Sequence, residues 1–153
     1  NDVEICYHKN LLKKHFQSVR FAYCKSINYS MYFPKLEQIY NSLPKLLRDL
    51  NVSLIRFGME CFNIKTPLVF ASDLNVQGAK VDALIDICQK LNADEYLSPV
   101  GSKTYIDENN LFLQNNIKLS YQNYEHAVYK QINYRDFISH LSFIDYLFNF
   151  KTL

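Results

Sequence analysis

Apolar positions recur at helical spacing through the first 65 residues of the chain. In "LLKKHFQSVRFAYC", Leu12, Phe16, Val19 and Tyr23 share one stripe, with Lys13, Lys14 and Arg20 off it. "YFPKLEQIYNS" repeats the signal, with Pro34 suited to a first turn and Leu36, Ile39 and Tyr40 on the buried side. "SLPKLLRDLNVSLIRFGMECFNI" predicts a third helical stretch, with Ser42 as N-cap and Pro44 near its start. It is read either as one long helix or as two short ones broken around Asn51.

The pattern then changes. "TPLVFAS" is a short apolar run with the look of a strand buried on both faces. "KVDALIDICQKLNA" is an amphipathic helix with Val81, Leu84, Ile85, Cys88 and Leu91 on one side. "EYLSP" reads as a second strand, "YIDENNLFLQNN" as a short helix and "IKLSYQ" as a third strand. "SHLSFIDYLFNF", apolar nearly all round, predicts a buried final helix. The expectation is an α/β fold: a helical N-terminal segment over 1–65, then a short parallel three-stranded sheet with crossover helices over 66–153. A length of 153 residues suits a single domain, 1–153, with a real core.

Composition narrows the function classes. A formal charge of +2 is too weak to argue for nucleic acid, and no apolar run approaches the ~20 residues of a membrane span. The polar start, "NDVEICYHKN", has no signal-peptide core, so a cytoplasmic location is expected. The four cysteines show no CxxC pair and read as reduced thiols. They and the four histidines lack zinc-ligand spacing, so no metal is expected. Three glycines in all leave no Gly-rich phosphate loop, and no cofactor is expected.

A parallel sheet keeps its ligands beyond the carboxyl ends of its strands. Three connections would lie there: "SDLNVQGAK", "PVGSK" and "QNYEHAVYKQINY". The last is long for a strand-to-helix link and sets Tyr124, Tyr129, Gln122 and Gln131 around His126, an imidazole able to exchange protons near neutral pH. Asp82 lies in a first helical turn, where a carboxylate also serves the helix dipole. Gly101, Ser102 and Lys103 form a turn able to offer backbone N–H groups to an anion. On the last helix Ser142, Asp145 and Asn149 form one polar stripe. A buried carboxylate there requires donors, from Ser142, a tyrosine or His126.

Taken in order, "LLKKHFQSVRFAYCKS", "YFPKLEQIY", "VDALIDICQKLNADEYLS", "TYID", "YQNYEHAVYKQ" and "LSFIDYLFNF" resemble the WbqC-like family of bacterial surface-polysaccharide gene clusters. The likeness covers essentially the whole chain and matches the family's recurrent polar positions at Asp82, Tyr96, Ser98, Tyr105, Gln122, Tyr124, His126, Tyr129, Ser142, Asp145 and Asn149. It also implies a lacking N-terminal portion, since members usually open with a strand and loop not seen here. Ala83 stands where an arginine is usual, and "SPVGSK" is poorer in glycine than the family's loop.

The resemblance implies a transferase that adds a small acyl or aminoacyl group to a sugar-nucleotide or similar polar metabolite in O-antigen biosynthesis. His126 would be the general base and Asp145 would orient it or the substrate. Asp82, Ser98, Tyr105, Gln122, Tyr124, Tyr129, Ser142 and Asn149 would bind the substrate, for example a nucleotide-linked amino sugar. The alternative is a non-catalytic binding or scaffold module, or an accessory subunit, whose tyrosines bury against a protein partner.

Overall fold

The structure, a computed structural model, describes residues 3–7, 11–106, 110–132 and 134–150. In chain order its helices and strands are α1 (Leu11–Tyr23), α2 (Tyr29–Asn41), α3 (Leu47–Cys61), α4 (Val81–Lys90), β1 (Glu95–Pro99), α5 (Leu111–Gln114), β2 (Lys118–Gln122) and α6 (Phe143–Asn149). The chain divides into two units, one made of 1–66 with 126–153 and the other of 67–125. No helix among the described residues is long and apolar enough to cross a membrane.

In the first unit α1, α2, α3 and α6 bury one aromatic core: Phe16, Phe33, Leu36, Tyr40, Phe57, Leu147 and Phe148. Full burial of such side chains contributes about 1.5–3 kcal/mol each. The stripe read from α1 faces this core, with Phe16 5.0 Å, ring to ring, from both Phe33 and Tyr40. α3 is one unbroken helix through Asn51. Gly58 lets α6 approach it, because a Cβ there would meet the Phe143 ring at 3.1 Å.

Two expected helix starts move. Pro34 lies inside α2 and not in its first turn. The helix begins earlier because Tyr29 stacks on Phe33 at 4.4 Å, and this packing outweighs the backbone bond that Pro34 cannot make. Ser42 closes α2, its hydroxyl donating to the Ile39 carbonyl at 2.7 Å, and does not cap α3. Residues 44–46 are held out of α3 by the segment 3–7. Ile5 N–H donates to Lys45 O and Leu47 N–H donates to Val3 O, each at 2.9 Å. Only the tertiary partner makes that visible.

In the second unit β1 and β2 are parallel neighbours, with Ser98 opposite Tyr121 and Pro99 opposite Gln122. α4 and α5 cover the sheet over a core of Ile85, Cys88, Ile106, Phe112 and Ile117. Cys88 is buried as its place on the apolar stripe predicts, and all four cysteines are free thiols. The expected third strand is corrected. Residues 66–70 join no sheet, Leu68 and Val69 are about half exposed (45% and 51%), and a 3₁₀ turn, Ala71–Leu74, follows. An apolar run becomes a buried strand only if a neighbour accepts its hydrogen bonds, and β1 pairs with β2 alone. The short helix expected over 105–116 is reduced to α5, and its 107–109 stretch lies outside the described residues.

Candidate functional site

Within the second unit the carboxyl edge of β1 opens on a cleft of about 760 Å³. Three elements build it. The loop before α4 supplies Lys80, and the first turn of α4 supplies Asp82. β1 supplies Tyr96 and Ser98, and the 3₁₀ turn Val100–Ser102 with the residues after it supplies Ser102, Tyr105 and Ile106. Leu84 and Leu111 complete an apolar wall. Tyr96 is held by stacking on Phe112, ring centres 5.2 Å apart.

The mouth of α4 is shaped by backbone. Gly78 has φ of +78°, and a Cβ at that position would come within 2.9 Å of the Asp82 Cβ, so this close turn requires glycine. No side chain caps α4 at Lys80.

Ser98 is 1% exposed and its hydroxyl lies 2.6 Å from that of Ser102. The direction of the protons follows from chemistry. Ser102 donates to the Pro99 carbonyl at 2.8 Å, because a carbonyl only accepts. Ser102 oxygen therefore accepts from Ser98, which spends its one proton there. The Ser98 oxygen keeps acceptor capacity, and the Asp82 carboxylate is a second acceptor in the same cleft. The complementary ligand groups are hydroxyls and amines.

The polar stripe of α6 belongs to the first unit and forms a closed network there. Asp145 is 2% exposed, and each of its oxygens takes two donors. Oδ1 accepts from Tyr23 hydroxyl at 2.9 Å and Asn149 Nδ2 at 3.1 Å. Oδ2 accepts from Tyr129 hydroxyl at 2.7 Å and Gln131 Nε2 at 2.9 Å. Asn149 in turn accepts from Ile132 N–H, and Gln131 accepts from Ile138 N–H, so the amides are fixed at both ends. Four donors replace the water that a buried carboxylate loses. Burial, and then the carboxylate its hydroxyl donates to, push the Tyr23 phenol well above its ordinary value.

The sequence-predicted residues are thus distributed over two places. Asp82, Ser98 and Tyr105 share the cleft. Gln122 ends β2 on the same sheet edge, and Tyr124, two residues on, is 62% exposed. Tyr129, Asp145 and Asn149 share the buried network. Ser142 is the N-cap of α6, accepting from Ile144 N–H, and gives no proton to Asp145. His126 has its ring centre 4.5 Å from that of His140, while the four donors to Asp145 named above are Tyr23, Asn149, Tyr129 and Gln131. Of the turn's N–H groups, that of Lys103 goes to the Val100 carbonyl.

Sequence reasoning missed Tyr23, which sits on an apolar helical stripe and reads there as core. Ser102 was legible only as part of a turn. The four-residue step from Ser98 was the available signal, since a tight turn after a strand returns the chain onto itself.

Comparison with known proteins gives three findings. A sequence profile described as "WbqC-like protein family" matches residues 1–152. The uncharacterized protein Rv1507c of Mycobacterium tuberculosis (strain ATCC 25618 / H37Rv) is 27% identical over 139 residues. That match covers 90% of this chain and 59% of the relative, so the chain spans less than two thirds of that protein's length. No solved structure gives a significant match. With the profile spanning nearly every residue, the chain belongs to the WbqC-like protein family.

Proposed function

We propose that the cleft of the 67–125 unit binds a polar metabolite of the nucleotide-linked amino-sugar class, which receives a small acyl or aminoacyl group in cell-surface polysaccharide assembly. The observation that carries this reading is the lining. The Asp82 carboxylate accepts from donors on a ligand, while Tyr96, Tyr105 and the Leu84–Ile106–Leu111 wall suit the C–H face of a sugar ring. Lys80 adds a cation for a phosphate. The volume of about 760 Å³ lies within the usual range for small-molecule sites. In the transfer, a sugar amine or hydroxyl attacks the donor's acyl carbon, the donor's leaving bond breaks, and the nucleophile's proton goes to a base. His126 is the proposed base. Its part is tested separately.

The binding test is a thermal-shift screen of uridine and deoxythymidine diphosphate amino sugars against the full chain. Binding to the native state alone raises the melting temperature, and at about 100 times Kd the gain is about 2.7 kcal/mol. Asp82→Ala and Tyr105→Ala are expected to abolish the shift. A screen without any shift removes the substrate class. For the chemistry, His126→Ala should stop turnover of a nucleotide sugar that the protein acylates, and unchanged turnover removes the base.

One observation favours the non-catalytic module as a second reading. Asp145 already has four internal donors and is 2% exposed, as a purely architectural carboxylate would be. Binding without turnover of any donor would select that reading.

A further inference from the structure

The unit formed by 1–66 and 126–153 holds a second cleft, of about 390 Å³, where α1 meets α2. Its floor is aromatic and fixed. Phe16 and Tyr40 are buried with ring centres 5.0 Å apart, and the Tyr40 hydroxyl is tied to His15 Nδ1 at 3.1 Å. α1 contributes Lys13 and Gln17, and α2 contributes Glu37 and Asn41. Within each pair the residues are four apart, so they lie one above the other on a helix face.

Among the described residues neither Lys13 nor Glu37 joins an ion pair, although Lys35, Lys45, Arg48, Lys90 and Lys118 all do. Lys13 stands in the first turn of α1, the positive end of that helix, and Glu37 stands just before the last turn of α2. Lys13 is opposed by its own helix, and among the described residues neither charge has an ion-pair partner. Facing one cleft, a cation and an anion that do not join each other complement a ligand that carries both.

We propose that this cleft binds a small zwitterion of the amino-acid class, free or as a dipeptide. Its carboxylate meets Lys13 and its ammonium meets Glu37. An apolar side chain covers Phe16 and Tyr40, while the amides of Gln17 and Asn41 take the remaining hydrogen bonds. The inference does not rest on the reading of the other cleft.

Calorimetric titration of the full chain tests it, with phenylalanine, leucine and glycyl-phenylalanine as zwitterions. Phenethylamine, lacking the carboxylate, and 3-phenylpropionate, lacking the ammonium, are the single-charge controls. A zwitterion should bind about tenfold or more tightly than either control, since each charge-assisted contact contributes on that scale. Lys13→Met should bring phenylalanine down to the level of phenethylamine without moving phenethylamine. Glu37→Gln should do the same relative to 3-phenylpropionate. Because neither substitution breaks an ion pair among the described residues, both variants should melt close to the parent protein. The proposal is overturned if the controls bind as well as the zwitterions, if neither variant changes the discrimination, or if nothing binds up to about 10 mM.

Discussion

At the scale of single residues, Asp145 gathers four side-chain hydrogen bonds among the described residues, and its chemistry is directional. An ionised carboxylate only accepts, and all four of its partners donate. In Asp145→Asn one oxygen becomes an amino group, which faces donors with a donor. The expected cost is about 2–4 kcal/mol, from lost charge-assisted bonds and stranded buried donors. Urea unfolding measures it. A loss below about 0.5 kcal/mol, the ordinary surface value, would mean the network is not structural. Tyr23 supplies a pH signature. Its phenol holds a proton more tightly folded than unfolded, through burial and then through Asp145. Its contribution to stability is therefore complete below about pH 10 and is lost as pH rises toward the folded value. Tyr29 and Tyr40 are raised by burial in the same direction. Stability should fall as the medium is taken above about pH 10, and Tyr23→Phe should flatten that fall without abolishing it. Urea midpoints taken across that range decide, and parallel curves for the two proteins would contradict the assignment.

At the scale of elements, the cleft of the second unit depends on how the chain enters α4. Gly78 adopts a left-handed conformation, and a side chain there would collide with Asp82. Gly78→Ala should cost about 1–3 kcal/mol, combining the left-handed penalty with the contact. It should also weaken nucleotide-sugar binding, because Asp82 must move. Full stability together with unchanged affinity would show that the turn does not position the carboxylate. The start of α6 offers a contrast. Ser142→Ala removes an N-cap bond of 3.4 Å, so a loss of about 0.5–1 kcal/mol is expected by denaturation, with cleft binding unaffected. A larger effect on binding than on stability would give Ser142 the ligand role that its position on the stripe first suggested.

At the scale of the whole molecule, hydrogen exchange separates the two proposed sites. A nucleotide sugar should slow exchange at 79–84 and 98–106, which frame the cleft of the 67–125 unit. An amino acid should slow it at 12–17 and 37–43, on α1, α2 and the turn after α2. Protection by either ligand at the other's segments would contradict the assignment of two separate pockets. The chain covers 59% of the relative from Mycobacterium tuberculosis, and both sites are proposals for the residues described here.

By itself the sequence determined the local elements whose information is local. The stripe of α1, the amphipathic face of α4 and the strand character of "EYLSP" and "IKLSYQ" follow from spacing, and spacing survives into the structure. It also placed Asp82 in a first turn and Cys88 in a core, and it carried the family likeness that the profile match over 1–152 establishes. What depends on a distant partner was decided only by tertiary structure. Residues 66–70 have strand composition but no neighbour to bond, and 44–46 are drawn out of α3 by pairing with 3–7. Tyr23 and Asp145 are 122 residues apart in the chain and become donor and acceptor only because α1 and α6 bury the same core. Hydrophobic periodicity records which face of an element turns inward. It holds no record of which polar group waits on the other side.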